Sequence, residues 1–397
     1  MVYDDLIIGS GLAGLAVAYG LPVGRRVCVI AGPRKNDLQW YDESSGIPCA
    51  NNGFGGLGSF WHGVIPMGLV GASFVEDYSA FTELFHHFYS DSIDDKLGKP
   101  WQFVPYKPIR PIIHWQRIFR INPNWLHVAA HADVIERKAQ VWSVSVGQQS
   151  FSATRVWIAA GALGTPALLD RSPSLSGCAR KHVSDHVILY LGQINRRTHP
   201  AVPYPTTERS RSGIWMLGAY DTFEKGLIST KPARFSYAHL DHGIEQRAAF
   251  GLPTAGLLSK LVKAPSLGLI SESLFNKFGL FPKSDILSVY AQIRVENAYH
   301  LGERLRRLTP ELGNIQSAIS NYRKSLIWPE LTPSLRPELY IRGIHLHHSL
   351  NIDVLKQKGV LNNENLAIVD PSCITDIGPE HHSFKAMVRA YSLAKCS

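Results

Sequence analysis

The first thirty residues alternate apolar runs with short polar or glycine-rich breaks. An apolar run ends at Ile8, a turn with three glycines follows, and a segment rich in alanine and leucine comes next. A second apolar run spans Arg26 to Ile30. Runs of this kind, separated by a helix-length segment, are typical of buried parallel strands joined by a crossover helix. The pattern therefore predicts a β-strand, an α-helix and a second β-strand in residues 3–31.

Gly9, Gly11 and Gly14 lie in the turn between the predicted strand and helix. In a dinucleotide-binding turn the first glycine permits the tight turn, the second lets a pyrophosphate approach the backbone, and the third lets helix and strand pack closely. The helix amino terminus adds N–H groups and the positive end of its dipole. The spacing indicates a dinucleotide site. The second strand runs into Ala31 and Gly32 where an acidic ribose-binding residue is usual, so another group must recognise the ribose.

Two later apolar runs are predicted to join the same parallel sheet, VWIAA at residues 156–160 and NLAIVD at residues 365–370. Asp370 would close the last strand at the carboxyl end of the sheet, where open α/β sheets bind ligands. Between them SGIWMLGAY, ARFSYAHL and ILSVYAQIRV alternate bulky with small or polar residues, which predicts a sheet with one packed face. The predicted fold class is α/β: a Rossmann-like domain with a parallel sheet, plus a smaller α+β domain with a largely antiparallel sheet.

Composition narrows the class of protein. A chain of 397 residues with 45% hydrophobic and 18% charged residues is an ordered globular protein, long enough for two lobes. The formal net charge is +9, but the lysines and arginines are scattered and no RNA- or DNA-binding module is readable, so no nucleic-acid partner is expected. The five cysteines lie far apart, which fits a reducing, cytoplasmic setting. An apolar strand that begins at residue 2 leaves no room for a signal peptide.

Residues 249–283 combine apolar residues with four lysines and very little acid. Two interpretations stay open for this segment. It is either a helical lid packed on the core or an amphipathic segment in peripheral contact with an anionic membrane, where each lysine adds about 1 kcal/mol. A transmembrane helix is not expected, because no apolar run approaches the roughly 18–20 residues that spanning requires.

Four segments, in the same order along the chain, resemble the glucose-methanol-choline (GMC) oxidoreductases. They are the glycine turn, GFGGLGSFWHGVIPMG at residues 53–68, RVWIAAGALGTPALL at residues 155–169, and NLAIVDPS with the final predicted helix. The resemblance implies an FAD-binding flavoprotein. Only one GxGxxG sequence lies between a predicted strand and a predicted helix, at residues 9–14, so the reductant would be the organic substrate and not NAD(P)H. The domains implied are an FAD-binding domain in residues 1–75, 120–190 and 340–397 and a substrate-binding domain in residues 76–119 and 191–339.

The resemblance also assigns residues to the cofactor site. In some GMC enzymes a histidine of the GGxS-like segment is linked covalently to the flavin, but the matching positions here are Ser59 and Phe60, which cannot form that bond. FAD is therefore expected to be non-covalent, with His62 as a packing or flavin-contacting residue. In RKHVSDHV, Asp185 and His186 are either flavin contacts or part of a polar turn. The residues implied to bind the cofactor are Gly9, Gly11, Gly14, Gly56, Ser59, Trp61, Val134, Ala160, Gly161, Asp370 and His382.

Histidines near the carboxyl terminus are the candidates for proton transfer. The resemblance places one active-site histidine or asparagine eleven residues after Asp370, which gives His381, with His382 as the competitor in register. A near-neutral imidazole suits removal of an alcohol proton, because its pKa lies close to working pH.

The other catalytic histidine that the resemblance implies lies on an upstream strand, here in LYIRGIHLHHSLNI. Matching Ser349 to the family's threonine gives His345, with His347 as the close alternative. On an extended strand these two histidines would share one face. A zinc site made from the pair lacks a third ligand at a recognisable spacing, so no metal is predicted.

These features predict FAD-dependent oxidation of a primary or secondary alcohol, sugar-like or amphiphilic, to a carbonyl. The hydroxyl proton would pass to a histidine and hydride to flavin N5, with oxygen or an external electron acceptor for reoxidation. Two alternatives stay open: a non-redox FAD-containing lyase, and a flavin-binding accessory protein of a biosynthetic complex.

Overall fold

The computed structural model describes residues 1–35, 37–40, 48–61, 63–68, 77–200, 206–217, 220–223, 226–232, 285–301, 306–307, 340–342, 345–360, 365–377 and 382–397. Its helices are α1 (Leu12–Gly20), α2 (Tyr78–Phe88), α3 (Pro111–Ile121), α4 (Gly161–Arg171), α5 (Ile352–Gln357) and α6 (Ser383–Lys395), and 3-10 turns span Gly56–Phe60 and Pro371–Cys373. Its strands are β1 (Val2–Ile8), β2 (Val27–Ala31), β3 (Leu38–Trp40), β4 (Pro48–Asn51), β5 (Ile65–Pro66), β6 (Trp101–Pro105), β7 (Leu126–Ala129), β8 (Val134–Lys138), β9 (Val141–Val146), β10 (Gln149–Ile158), β11 (His182–Asn195), β12 (Thr206–Arg209), β13 (Gly213–Leu217), β14 (Tyr220–Phe223), β15 (Gly226–Pro232), β16 (Ile286–His300), β17 (Arg306–Arg307), β18 (Tyr340–Arg342) and β19 (Leu366–Ile368).

The amino-terminal strand, helix and strand form as predicted. β1 and β2 pair in parallel, and β2 is buried along its whole length. The second strand lies one residue later than expected, at Val27–Ala31. Uninterrupted apolar sequence suits these strands because helices cover both faces of a parallel sheet.

A parallel sheet organises this part of the molecule. Within the described residues its order is β7-β2-β1-β10, with β19 parallel to β10, and β9 and β8 extend it antiparallel beside the amino-terminal half of β10. Ile8 is in register with both Ile30 and Ile158, and Ile158 is in register with Ile368. The carboxyl ends of β1, β2, β10 and β19 therefore lie level with one another. Any site built on the residues that follow these strands lies at one edge of the sheet.

The two faces of the sheet belong to separate hydrophobic clusters. One cluster joins Ile7, Val29 and Trp157 to buried residues of α1, α2, α3 and α6. The other joins Leu6 and Ile30, on the opposite face, to residues of α4 and α5. This division follows from the alternation of side chains along a strand.

The last helix, α6, packs directly on α1. A side chain at Gly20 would place its Cβ 2.6 Å from the Tyr391 carbonyl oxygen, so glycine at the end of α1 is what allows this close approach. The packing fixes where α6 begins relative to the sheet edge. The residue immediately before α6, His382, is thereby held in place.

Antiparallel sheets make up the second part of the fold. One has the order β14-β15-β16-β11-β18, with β17 beside β16, and another has the order β12-β13-β6-β5. The α/β class with a second, largely antiparallel part is confirmed. The run ILSVYAQIRV lies in β16 and SGIWMLGAY includes β13. The run ARFSYAHL and the segment 249–283 lie outside the described residues, and the domain boundaries stay a prediction.

In the part of the chain that the structure describes, no helix combines the length and apolar character needed to cross a bilayer. All five cysteines are free, and three of them, Cys28, Cys49 and Cys178, are buried.

Candidate functional site

The turn after β1 has the backbone that its glycines were expected to permit. Gly9 has a φ of +102°, and a Cβ there would lie 2.2 Å from the Ala159 carbonyl oxygen. A Cβ at Gly14 would lie 2.1 Å from the Gly9 carbonyl oxygen. Gly11 differs from both, because the nearest heavy atom to its Cβ position is the Gly55 carbonyl oxygen at 3.9 Å. Gly9 and Gly14 are therefore needed for packing, while Gly11 leaves its backbone open to a ligand.

The amino terminus of α1 opens directly onto this turn. Gly11 caps the helix with no side-chain hydrogen bond, and the first turn carries no acidic residue. The backbone N–H groups at a helix amino terminus lack partners within the helix and carry partial positive charge. This end of α1 is suited to a pyrophosphate.

A glycine-rich segment, residues 53–60, lies over the turn. The Gly55 N–H donates to the Ser10 hydroxyl at 2.8 Å, and a Cβ at Gly56 would lie 3.5 Å from the Gly11 Cα. The indole N–H of Trp115 donates to the Ser10 carbonyl oxygen at 2.8 Å. Segment and turn thus form one unit, although they are far apart in sequence.

Arg110 holds the end of this segment. Its guanidinium donates to the carbonyl oxygens of Ser59 at 3.1 Å and Trp61 at 2.9 Å. Ser59 is buried and Trp61 is half-buried. Neither Arg110 nor Trp115 was singled out from the sequence, because a lone arginine before a helix or a lone tryptophan within one has no local pattern to mark it. His62, between Trp61 and Gly63, lies outside the described residues.

The space after β2, where an acidic residue is usual, is filled by backbone. A Cβ at Gly32 would lie 1.7 Å from the Asn52 carbonyl oxygen and 3.0 Å from the His131 ring. Because Gly32 admits this approach, Asn52 and His131 lie where a ribose-binding group is expected. Val134, the other residue implied to contact the cofactor on this half, begins β8 and is separated from β1 by β10 and β9.

Asp370 ties the last parallel strand to α4. Its carboxylate accepts hydrogen bonds from the Gly161 N–H at 3.0 Å, the Thr165 hydroxyl at 2.5 Å and the Ser372 N–H at 2.9 Å. Burial raises the pKa of this carboxyl, and the same three donors oppose that shift. Gly161 has a φ of +83°, which glycine adopts without strain. Asp370 and Ala160–Gly161 therefore form one rigid corner beside Gly9.

Four imidazoles lie close together, those of His186, His345, His347 and His382. We call these four residues the histidine cluster. The ring centroids of His345 and His382 are 4.9 Å apart, and that of His186 lies 5.7 Å from His345 and 5.8 Å from His382. His347 lies 6.1 Å from both His186 and His382. All except the half-buried His345 are buried.

The cluster gathers residues that the sequence placed in different roles. His345 and His347 were expected to share one face, and both contribute to the cluster. His382 was expected to bind the cofactor, and it was also the alternative to His381 for the active-site position. His381 lies outside the described residues. His186 belongs to β11, so the polar turn considered for it is wrong: β11 begins at His182. A third and a fourth imidazole thus lie beside the HxH pair, contributed by segments distant in sequence.

Buried polar residues hold the cluster in place. The Asp185 carboxylate accepts from the backbone N–H of His345 at 2.8 Å and of His186 at 2.7 Å. The Tyr299 hydroxyl donates to the same carboxylate at 3.4 Å, and the Gln292 amide lies 3.3 Å from Nδ1 of His186. One carboxylate therefore positions two of the four histidines through their backbone. Neither Gln292 nor Tyr299 carries a sequence signal, since each is a single polar side chain within the long strand β16.

The neighbours of His347 define its protonation state. Its Nδ1 lies 3.0 Å from the His345 carbonyl oxygen, and because a carbonyl only accepts, Nδ1 carries the proton. Its Nε2 is buried and has no hydrogen-bond partner among the described residues. Burial lowers the pKa of His347 to about 3, with lesser lowering by Arg294, so the ring is neutral at physiological pH. His347 thus presents a lone pair on Nε2.

The histidine cluster and the glycine turn lie at the same edge of the parallel sheet. Gly9 packs on Ala159 after β10, and the neighbouring Gly161 is bonded to Asp370 after β19. The chain then continues to Pro371, whose carbonyl accepts from the His348 N–H at 3.1 Å. A continuous series of short contacts therefore joins the turn to the segment that carries His345 and His347.

No protein-family model matches the chain, and no curated protein matches its sequence. Solved structures do match. Pyridoxine 4-oxidase from Mesorbium loti aligns over 99% of this chain and 99% of its own, with 13% identity and a TM-score of 0.51. An FAD-dependent oxidoreductase from Chaetomium thermophilum, in complex with a butanamide fragment, aligns over 99% of this chain and 98% of its own, with 13% identity and a TM-score of 0.52. The chain therefore has the fold that its resemblance to the GMC oxidoreductases implied.

Proposed function

We propose that this protein is an FAD-dependent oxidoreductase that converts a primary or secondary alcohol to a carbonyl. The observation that carries the proposal is the meeting of two features at one sheet edge: a glycine turn with an open backbone at Gly11, and a cluster of buried imidazoles. The two structural neighbours named above, an oxidase of pyridoxine and an FAD-dependent oxidoreductase, are consistent with it.

The residues of the turn fit an FAD pyrophosphate. Gly11 leaves its backbone open, and α1 directs N–H groups and positive dipole toward the same place. The segment 53–60 would cover the cofactor. We propose that Gly56, Ser59 and Trp61 contact it, and that it is held without a covalent bond. Bound there, FAD would supply the acceptor for hydride from the alcohol carbon.

We assign proton acceptance to His347 and keep His345 as the alternative. A general base needs a lone pair directed at the reacting group and a fixed orientation. Nε2 of His347 has the lone pair, because Nδ1–H is committed to the His345 carbonyl. Burial lowers the pKa of this ring to about 3, below the range that suits a free base, so the ring is neutral before the substrate arrives and would accept the proton only as hydride leaves the alcohol carbon. His345 and His382 face the same space and would position the alcohol oxygen.

The substrate is expected to be a small alcohol, sugar-like or amphiphilic, and the reduced cofactor would be reoxidised by oxygen or an external electron acceptor. Reconstitution with FAD followed by an anaerobic panel of alcohols tests the proposal. Bleaching of the flavin absorbance by an alcohol is the expected result. A protein that binds FAD and stays oxidised with every alcohol would point to the lyase or accessory role, and one that binds no FAD would overturn the proposal entirely.

A further inference from the structure

Three histidines of the cluster have the arrangement of a metal site. One ring nitrogen from each of His186, His345 and His382 lies within 4.8 Å of the other two, and two of these residues are buried. We propose that these three imidazoles bind one divalent transition metal ion of the zinc class, with a fourth position open beside His347. Metal binding is independent of FAD, while any part the ion takes in alcohol oxidation rests on the proposed function.

The donor set selects the class of ion. Imidazole nitrogen suits zinc, copper, iron and nickel, whereas calcium and magnesium require oxygen ligands. The neighbouring carboxylate of Asp185 accepts hydrogen bonds from the backbone N–H groups of His186 and His345. Three imidazoles with an open fourth position is the ligand pattern of catalytic zinc.

The three ring nitrogens must move closer together to bind one ion. In a tetrahedral site with zinc–nitrogen bonds of about 2.0–2.1 Å, ligand nitrogens are about 3.3–3.4 Å apart. The three nitrogens lie within 4.8 Å of one another, so they would have to come closer by about 1.4 Å at most, through rotation of the rings about their side-chain torsions. The Asp185 carboxylate holds the backbone at two of the three residues.

Neighbouring groups also match those that orient the ligands of a metal site through hydrogen bonds. Metal-binding histidines usually commit their other ring nitrogen to a hydrogen bond that fixes the tautomer. The Gln292 amide nitrogen lies 3.3 Å from Nδ1 of His186. With the amide reversed, so that its oxygen takes this place, Gln292 would accept Nδ1–H and leave Nε2 of His186 as the ligand. His347, fixed in the same way by the His345 carbonyl, would face the open position.

The direct test uses the full-length chain without FAD, stripped with a chelator and titrated with ZnCl₂ and, separately, CoCl₂. The expected result is one ion per chain and, with cobalt, the intense visible absorption of a tetrahedral nitrogen site. His186→Ala, His345→Ala and His382→Ala should each weaken zinc binding by on the order of 100-fold or more, and Gln292→Leu by about 10–100-fold. Circular dichroism of each variant checks that it folds.

The chain offers a matched control. His182 and His300 form a second histidine pair on β11 and β16, with ring centroids 5.4 Å apart, outside the cluster. His300→Ala should leave zinc and cobalt binding unchanged. Equal loss in His300→Ala and His382→Ala, or a wild-type cobalt spectrum without tetrahedral character, would overturn the metal proposal.

Flavin measurements on the same protein separate the two proposals. If the wild-type chain binds neither ion but an alcohol bleaches its flavin, the metal proposal is wrong and the proposal of an oxidoreductase is kept. If zinc binds and no alcohol bleaches the flavin, the metal site stands and the proposed function fails. If the rate of flavin reduction falls on treatment with a chelator and recovers on addition of zinc, the ion takes part in alcohol oxidation.

Discussion

The glycine turn and the histidine cluster lie at one edge of the same sheet but are built in opposite ways. The turn is contiguous, between β1 and α1, and its glycines are explained by contacts within and beside a single strand-helix-strand unit. The cluster draws on β11, on the segment after β18, and on the residue before α6, and its key bond joins residues 160 positions apart. A local site tolerates little change in backbone, whereas an assembled site depends on distant packing and on the protonation state of each member.

The largest effect is expected at the assembled site. His347→Ala should lower the rate of flavin reduction by alcohol by about 10²–10⁴-fold, since that is the usual contribution of a general base. FAD binding should stay intact, because His347 is not part of the glycine turn. Anaerobic stopped-flow absorbance measures the rate, and flavin titration measures the binding.

A neighbouring histidine provides the control for that variant. His348 has a left-handed backbone with a φ of +53°, which asparagine tolerates, so His348→Asn should fold and react at close to the wild-type rate. If the rate of flavin reduction in His347→Ala stays within threefold of the wild-type rate, His347 is not the base and His345 becomes the candidate.

The next largest effect separates two glycines of the same turn. Gly9→Ala should lower the free energy of unfolding by at least about 2–3 kcal/mol, because the new Cβ would collide with the Ala159 carbonyl at a positive φ. Gly11→Ala has open space and should keep the stability of the FAD-free protein while weakening FAD binding. Urea unfolding of both variants and FAD titration of Gly11→Ala provide the measurements. Equal destabilisation by both substitutions would contradict the assignment of separate roles.

A pH dependence distinguishes the buried cluster from the turn, which carries no titratable group between Gly9 and Gly14. The pKa of His347 falls from its usual 6.5 to about 3 in the folded chain, so between these values the unfolded state binds a proton that the folded state does not. The free energy of unfolding should therefore fall as pH falls through that window, by up to about 1.4 kcal/mol per pH unit.

Comparison with His347→Gln isolates this contribution, because other histidines such as the half-buried His114, with a pKa of about 4, act in both proteins. Urea unfolding at pH 7 and pH 5 should show a smaller loss of stability in the variant than in wild type. The same loss in both would show that His347 is not kept neutral by the fold.

The smallest effect concerns the segment that covers the turn. Arg110→Gln removes the donors to the Ser59 and Trp61 carbonyls and should weaken FAD binding by about tenfold, the equivalent of about 1.4 kcal/mol. Arg117→Gln, on an exposed position of α3, serves as the control in the same titration. Unchanged FAD affinity in Arg110→Gln would mean that the segment 53–60 does not depend on this anchor.

The fold was predictable from sequence where the signal was periodic. Apolar runs ending at Ile8, Ile30 and Ala160 identified buried parallel strands, and glycine spacing identified the turn between β1 and α1. Arg110 and Trp115 were missed, although both hold the turn and its covering segment, because a single side chain bonded to a distant carbonyl leaves no repeating pattern.

The candidate site was predictable only in part. The HxH spacing placed His345 and His347 together, since alternate residues of an extended segment share a face. Spacing argued against a metal because it found no third ligand nearby along the chain. The structure brings His186 and His382 to the pair from other elements, and the His345 carbonyl oxygen determines which ring nitrogen of His347 carries the proton.

The amino-acid sequence alone determined the strand-turn-helix unit, because the steric limit on Gly14 beside Gly9 and the burial of apolar runs act between residues close along the chain. The composition of the histidine cluster was decided only by tertiary structure. Packing of α6 on α1 places His382, pairing of β11 with β16 sets His186 beside Gln292, and the Asp185 carboxylate holds the segment of His345. Electrostatics and hydrogen bonding depend on distance in space, so the chemistry of these imidazoles is a property of the folded chain.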